Sequence, residues 1–143
     1  VIEGAEVDRV VVLTPHDGEY KRLAGEEPGP DRVVAARRLA EATGAVVLVK
    51  GPLTAVAAPP GNFASGPSVL LAAAGSSALA TAGTGDVLGG IIAAFVARGL
   101  DALSAAAFAA HVHGAAARAG RSEGLVSVDL PELVADWLSS NRG

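Results

Sequence analysis

The sequence predicts an α/β fold, because short β-branched runs alternate with amphipathic, alanine-rich helical patterns. A helical pattern over 31–43 lies between two runs typical of buried strands, at 10–13 and 45–49. Two shorter strand patterns follow, at 54–58 and 68–71, and after them come helical patterns. A strand–helix–strand unit, a β meander and a run of helices in this order indicate α/β architecture.

The first strand pattern leads into a junction where a ligand could bind. Residues 10–13 are expected to form a fully buried strand, followed by a turn at Thr14-Pro15-His16 and a short helix over 19–24. Ligands of open parallel sheets bind beside the carboxyl ends of strands. His16 is therefore either a ligand contact or a turn histidine bonded to backbone.

The next helix has clear start and stop signals, with Asp31 as its cap and Gly44 at its end. Its pattern predicts that Val34, Leu39 and the alanines face inward. The opposite side is expected to be a solvated face, formed by Arg32, Arg37 and Arg38.

The second strand places a cation at its carboxyl end, because Lys50-Gly51 directly follows 45–49. A lysine at that point is well placed to meet a phosphate, although many such lysines simply mark the edge of a strand. The strands at 54–58 and 68–71 are expected to be joined through a hairpin-like turn at 59–62.

A glycine-rich segment, 80–90, predicts a tight turn that leads into a helix over 87–98. Gly83 and Gly85 let backbone N–H groups point outward without a Cβ in the way, and a helix start adds partial positive charge. Gly83, Thr84 and Gly85 therefore predict an anion site suited to phosphate. Asp86 is either a helix cap or a base that faces a substrate hydroxyl beside a phosphoryl group.

Two further helices complete the chain. The helix over 102–119 carries His111 and His113, whose spacing places them on different faces, so both are interpreted as structural histidines rather than metal ligands. The last helix follows a capping-box-like start at 129–132 and is expected to bury Leu133 and Trp137.

Composition excludes several classes of function. Half of the 143 residues are hydrophobic and 18% are charged, which predicts a single folded domain, although much of the apolar content is alanine. The chain has no cysteine, and its formal charge of −4 with no basic patch argues against nucleic acid as a partner. No apolar run is long enough to span a bilayer, so a cytoplasmic location is the default expectation.

Three motifs in this order resemble the ADP/ATP-dependent NAD(P)H-hydrate dehydratases of the ribokinase-like superfamily. They are Leu-Thr-Pro-His-x-x-Glu at 13–19, Val-Lys-Gly-x-x-Thr at 49–54 and Ala-Gly-Thr-Gly-Asp-Val-Leu at 82–88. His113-Gly114 and the segment at 124–131 are also similar to that family. The resemblance covers essentially the whole chain and implies a three-layer α/β sandwich.

The resemblance also implies roles for the motif residues. Nucleotide contacts would come from Lys50, Gly51, Pro52, Leu53 and Thr54, and Gly85 would offer its N–H to the transferring phosphate. His16 and Asp86 would contact the hydrated nicotinamide ring, with Asp86 as the base that takes the hydroxyl proton. Pro52 and Leu53 depart from the small or polar residues usual in the family.

The family implies ADP or ATP as co-substrate, Mg²⁺ arriving with the nucleotide, and hydrated NADH or NADPH as substrate. The family's domain is longer, and its glycine-rich substrate segments lie upstream of Val1, so 1–143 is expected to be the C-terminal portion of one domain. The missing N-terminal half, a fused epimerase domain and a second copy of the chain are the expected protein partners.

Two other functions stay open on the sequence alone. A ribokinase-like small-molecule kinase is disfavoured, because such sugar kinases commonly carry an aspartate shortly before the glycine motif, where 79–82 has no acid. A nucleotide-binding module without catalysis is the other alternative.

Overall fold

The computed structural model describes residues 10–61, 68–73, 77–120 and 123–141, and its strands form a four-stranded sheet. The sheet order follows the chain: β1 (Val12–Leu13), β2 (Val46–Val49), β3 (Thr54–Ala57) and β4 (Val69–Ala72). β1 and β2 run parallel, whereas β2, β3 and β4 form an antiparallel meander. The predicted strand–helix–strand unit and meander are thus both present.

Five α-helices accompany the sheet in the described part of the chain. They are α1 (Asp17–Ala24), α2 (Arg32–Thr43), α3 (Thr84–Ala97), α4 (Ala102–Ala119) and α5 (Leu130–Ser140), with 3₁₀ turns at Ser77–Leu79 and Ser127–Asp129. None of these helices is long and apolar enough to cross a membrane.

The sheet is covered on both faces, which gives the three layers expected. Side chains of a strand alternate between faces, so β2 contributes to two separate cores. Val47 and Val49 pack with α2 and Tyr20 in one core. Val46 and Leu48 pack with α3 and α4 in the other.

The prediction that 10–13 form a fully buried strand was wrong. The strand is limited to Val12–Leu13, both partly buried, and Val10 and Val11 are 54% and 52% exposed. The reason is position in the sheet, since β1 is the edge strand and pairs only with β2 among the described residues. A strand with a neighbour on one side alone leaves its other edge unpaired.

Two helical faces also differ from expectation. On α2 the prediction is confirmed for Leu39 and for Ala35, Ala36 and Ala40, which are buried, but it was wrong for Val34, which is exposed. On α5 the buried residues are Leu130 and Val134, whereas Leu133 and Trp137 are only partly buried against the core. In each helix a buried residue directly follows the one predicted, since Ala35 follows Val34 and Val134 follows Leu133.

Element boundaries shift where capping decides them. α1 begins at Asp17 rather than residue 19, and α3 begins at Thr84 rather than residue 87, so the glycine motif itself forms the first turn of α3. The predicted turn at 59–62 lies within the described residues as far as Gly61, which has a φ of 85°. The shift at α3 matters most, because it moves Asp86 from a flanking position into the helix.

Candidate functional site

A cavity of about 970 Å³ opens where β2 ends and where α1 and α3 begin. Its wall includes residues from all three sequence motifs, namely His16, Lys50, Gly51, Pro52, Thr54, Gly83, Thr84, Gly85 and Asp86. The wall does not include Leu53, which instead borders a shallower groove with Pro52 and Leu71. Of the predicted site residues, Leu53 is therefore the one that lies apart.

The glycine motif and Lys50 face each other across the cavity. A Cβ placed on Gly85 would lie 3.5 Å from the Lys50 Nζ, so the ammonium group approaches the backbone where a side chain would otherwise intervene. Gly83 precedes α3 with a φ of 85°, a conformation that favours glycine. The Gly85 N–H has no backbone partner among the described residues, and together with a lysine ammonium it offers the kind of groups that bind an anion at a helix start.

Thr84 holds this turn in place from behind. Its hydroxyl is buried and lies 2.7 Å from the Leu79 carbonyl oxygen and 2.9 Å from that of Thr81. The Thr84 hydroxyl therefore donates its hydrogen bond to carbonyl oxygens of the preceding loop and is not available to a ligand. The Thr84 backbone N–H also lies 3.4 Å from the Thr81 carbonyl oxygen, so Thr84 shapes the turn and leaves the Gly85 N–H as the group of this motif that faces Lys50.

Asp86 is exposed in the first turn of α3, and it does not act as the cap of that helix. The N-cap position belongs to Gly83, and no side chain caps the helix there. Within the described ranges, the Asp86 carboxylate takes part in neither a hydrogen bond nor an ion pair. A free carboxylate on the cavity wall beside an anion site is the geometry required of a base.

His16 caps α1 and faces the cavity at the same time. The His16 Nδ1 accepts hydrogen bonds from the Gly18 N–H at 3.0 Å and the Glu19 N–H at 3.3 Å. The backbone N–H of His16 donates to Glu19 Oε2 at 2.8 Å. Because Nδ1 accepts, the ring proton of the neutral imidazole resides on Nε2. The interpretation of His16 as a turn histidine bonded to backbone is confirmed, and its Nε2 lies 3.4 Å from Glu19 Oε1.

The electrostatics of this corner favour a charged Glu19. The backbone hydrogen bond from His16 lowers the pKa of Glu19, and the Lys50 ammonium lowers it further. Lys50 thus acts on the cavity from the end of β2. No carboxylate of the described residues lies within ion-pair distance of its Nζ.

The sequence interpretation missed Arg32, which was assigned to a solvated face. Its guanidinium forms a bidentate ion pair with Asp17, at 2.8 and 3.0 Å, and only a quarter of its side chain is exposed. A Cβ placed on Gly51 would lie 3.6 Å from Arg32 Nε, so the guanidinium covers the Lys50 loop. Its position directly after the α2 cap was the available signal, since that places it at a helix start on the cavity edge.

The two histidines of α4 lie on different faces, as predicted. His111 is exposed and packs edge-on against Trp137, with ring centroids 5.6 Å apart. His113 is buried and belongs to the cavity wall. Burial lowers the pKa of His113, and the Lys50 charge lowers it further.

A family model described as NAD(P)H-hydrate dehydratase matches residues 3–138. The chain belongs to the NAD(P)H-hydrate dehydratase family. The bifunctional NAD(P)H-hydrate repair enzyme Nnr of Mycobacterium leprae is 55% identical over 106 residues, which is 74% of this chain and 21% of that protein.

Similar solved structures confirm the fold. The ADP/ATP-dependent NAD(P)H-hydrate dehydratase from Bacillus subtilis, co-crystallized with ATP/Mg²⁺ and soaked with CoA, aligns with a TM-score of 0.81 at 30% identity, covering 92% of this chain and 49% of that one. A ribokinase-like superfamily protein from Enterococcus faecalis aligns with a TM-score of 0.74 at 23% identity, covering 91% and 44%. The chain therefore spans about half the length of these structures.

Proposed function

We propose that the protein carrying this chain dehydrates hydrated NADH or NADPH with ADP or ATP as co-substrate. The observation that carries the proposal is the convergence of the three family motifs on one cavity, where Lys50 meets the start of α3 beside a free Asp86. The activity for which the Bacillus subtilis relative is named supports it.

In the proposed reaction, two parts of the cavity have separate tasks. The terminal phosphoryl group of the nucleotide occupies the anion site, against the Gly85 N–H and the Lys50 ammonium. Asp86 takes the proton of the ring hydroxyl, the hydroxyl oxygen forms a bond to phosphorus, and the bond from phosphorus to the nucleotide oxygen breaks.

The phosphorylated ring then loses phosphate. The ring nitrogen lone pair expels the phosphate by breaking the carbon–oxygen bond, and loss of a proton from the neighbouring carbon restores the dihydropyridine. His16 is proposed to orient the ring through its Nε2–H, and the Lys50 loop, Pro52 and Thr54 included, lines the nucleotide.

Among the described residues, no cluster of three His, Asp or Glu side chains could hold a metal by itself. Asp17 is occupied by Arg32 and Glu19 by His16, so Asp86 is the carboxylate of the wall that remains free. This suits Mg²⁺ that enters with the nucleotide, because that ion is usually held by substrate phosphates, waters and one or two carboxylates. Bound there, the ion would neutralise phosphate charge.

We further propose that these residues are the C-terminal portion of one domain. The unpaired edge of β1 and the exposed Val10 and Val11 support a completing N-terminal half, as does the 49% coverage of the Bacillus subtilis structure. The bifunctional name of the Mycobacterium leprae relative supports a fused epimerase. Homo-oligomerisation and a cytoplasmic location stay predictions.

The activity is tested by adding the complete polypeptide to NADH hydrate with ADP, then with ATP, and following the absorption band of reduced nicotinamide. Recovery that requires nucleotide is expected, and inorganic phosphate should form in equal amount. Nucleotide consumption with an added alcohol but no recovery would instead indicate a kinase. Nucleotide binding without turnover of either substrate would indicate a binding module.

The 143 residues expressed alone should be poorly stable and inactive, because the outer edge of β1 has no partner strand among the described residues. Thermal unfolding followed by circular dichroism, alone and with the completing segment added, measures this. A cooperative transition with full activity from the isolated chain would contradict the proposed division of the domain.

A further inference from the structure

His113 of α4 is a buried polar side chain that the proposed mechanism does not use. It is 5% exposed, and its Nε2 has no hydrogen-bond partner in the described part of the chain. Native proteins seldom leave a buried polar atom unpaired without a water, a ligand or a functional reason. His113 also belongs to the wall of the cavity that holds the anion site.

The backbone hydrogen bond with Thr84 indicates which ring nitrogen of His113 carries the proton. The backbone hydrogen bond with Thr84 raises the pKa of His113, which is the effect of a carbonyl that accepts from a ring N–H. Because Nε2 has no hydrogen-bond partner among the described residues, we assign this N–H to Nδ1. Nε2 of the neutral ring then carries only a lone pair, which a phosphate oxygen would repel.

The field around His113 favours the neutral ring while the cavity holds no anion. Burial is the largest effect that lowers the pKa of His113, and Lys50 lowers it further. The strands β3 and β4 and the 3₁₀ turn at Ser77–Leu79 carry no titratable side chain. The remaining charged groups on the cavity wall or on α5 are Asp86, His16, Asp17, Glu19, Arg32, Glu132 and Asp136, and the last two are exposed.

We propose that His113 is a further contact of the anion site, which takes a proton from solvent on Nε2 and donates a hydrogen bond when a phosphate-bearing ligand binds. Lys50, the start of α3 and His113 border the same cavity. An anion there opposes the Lys50 field at the ring and offers an acceptor to the new N–H. This extends the proposed function, whose nucleotide supplies such a phosphate, but requires only an anion.

Proton uptake gives binding a defined pH dependence. The pKa of His113 lies below its usual value in the free protein, and the bound anion raises it. Affinity should therefore rise as pH falls from the bound pKa to the free pKa, and should be level above and below that window. Binding to Lys50 and backbone N–H groups alone would show no such window.

Sulfate is a suitable probe, because its charge does not change near neutral pH. Imidazole ¹⁵N spectra of the complete polypeptide, assigned to His113 by comparison with His113→Gln, should show the Nδ1–H tautomer without sulfate and a higher titration midpoint with it. For a shift of half a unit to one unit, the ratio of sulfate affinity at low pH to that at high pH should be about three- to tenfold larger in the native protein than in His113→Gln.

His111→Gln is the matched control, since His111 is exposed on the same helix and packs on Trp137. It should keep the pH dependence of sulfate binding. If His113→Gln does not fold, Lys50→Ala provides the second test, because removing that charge should raise the His113 midpoint in the absence of sulfate.

An unchanged His113 midpoint under saturating sulfate would overturn the proposal, as would a failure of sulfate to bind or a midpoint that Lys50→Ala leaves in place. The dehydration assay is independent of these measurements. Sulfate-linked protonation without dehydration would refute the proposed function alone, and dehydration without it would refute the role of His113 alone.

Discussion

The two walls of the cavity differ in how their polar groups are satisfied. On the wall formed by the starts of α1 and α2, Asp17 pairs with Arg32, and His16 and Glu19 bond to each other's backbone. On the wall formed by Lys50 and the start of α3, the Lys50 ammonium, the Asp86 carboxylate and the Gly85 N–H have no such partners among the described residues. The polar groups of the first wall hold one another in place, and the second wall is the one that we propose to be reactive.

This difference shows that polar motif residues can either bond to one another or remain unpaired and able to bind a ligand. Groups that satisfy each other are fixed in position and tolerate loss of one partner, because water replaces an exposed partner at small cost. Groups left unpaired at a helix start gain their interactions from the ligand. Substitutions on the second wall should therefore affect function, and those on the first wall should affect stability.

The largest effect is expected for Asp86→Asn in the complete enzyme. Removal of a general base should lower turnover by about 10²–10⁴-fold, while nucleotide affinity is retained because the phosphate contacts are unchanged. Turnover by absorbance and nucleotide titration by calorimetry measure the two quantities. Unchanged turnover with weakened nucleotide binding would remove Asp86 from the role of base.

Lys50→Ala should weaken nucleotide binding by about ten- to a hundredfold, because a charge-assisted contact to phosphate is lost. Lys21→Ala is the matched control, since Lys21 is exposed and pairs with Glu27 away from the cavity. Titration of ADP into each variant measures the difference. Equal affinities for the two variants would show that Lys50 does not contact phosphate.

The sequence predicts those features of the site that depend on neighbouring residues, and it does not predict those that depend on how distant elements pack. The motifs at strand ends and helix starts could be expected to lie near one another, because parallel strands present their carboxyl ends at one edge of the sheet. The Arg32–Asp17 pair could not, since it depends on how two helices separated by a loop approach each other. The burial of His113 depends likewise on the packing of α4, and the exposure of Val10 on which strand is the edge.

His16 lies on the first wall and is also proposed to contact the hydrate. Its variants can therefore separate an effect on stability from an effect on substrate binding. His16→Ala removes both the cap and the Nε2–H, and should weaken hydrate binding more than nucleotide binding while lowering the free energy of unfolding by about 0.5–2 kcal/mol. His16→Asn keeps a capping acceptor and should restore stability without restoring hydrate affinity. Equal losses for both ligands in titration would remove His16 from the substrate side.

The smallest effect is expected for the Asp17–Arg32 pair. The hydrogen bond from Arg32 lowers the pKa of Asp17 below its ordinary value of 3.8. A depressed carboxyl pKa contributes stability above the unfolded value, and that contribution is lost as pH falls through the folded value. Because more than half of the Asp17 side chain is exposed, Asp17→Asn should cost at most about 1 kcal/mol at neutral pH.

Denaturant unfolding of Asp17→Asn and native protein at a series of pH values tests this pair. The difference in unfolding free energy should be constant near neutral pH and should disappear once the solution is acidic enough to protonate Asp17 in the folded state. Glu27→Gln is the control, because its pair with Lys21 is exposed and distant from the cavity. A loss of turnover in Asp17→Asn at full stability would show that this wall also takes part in the chemistry, and the distinction between the two walls would fail.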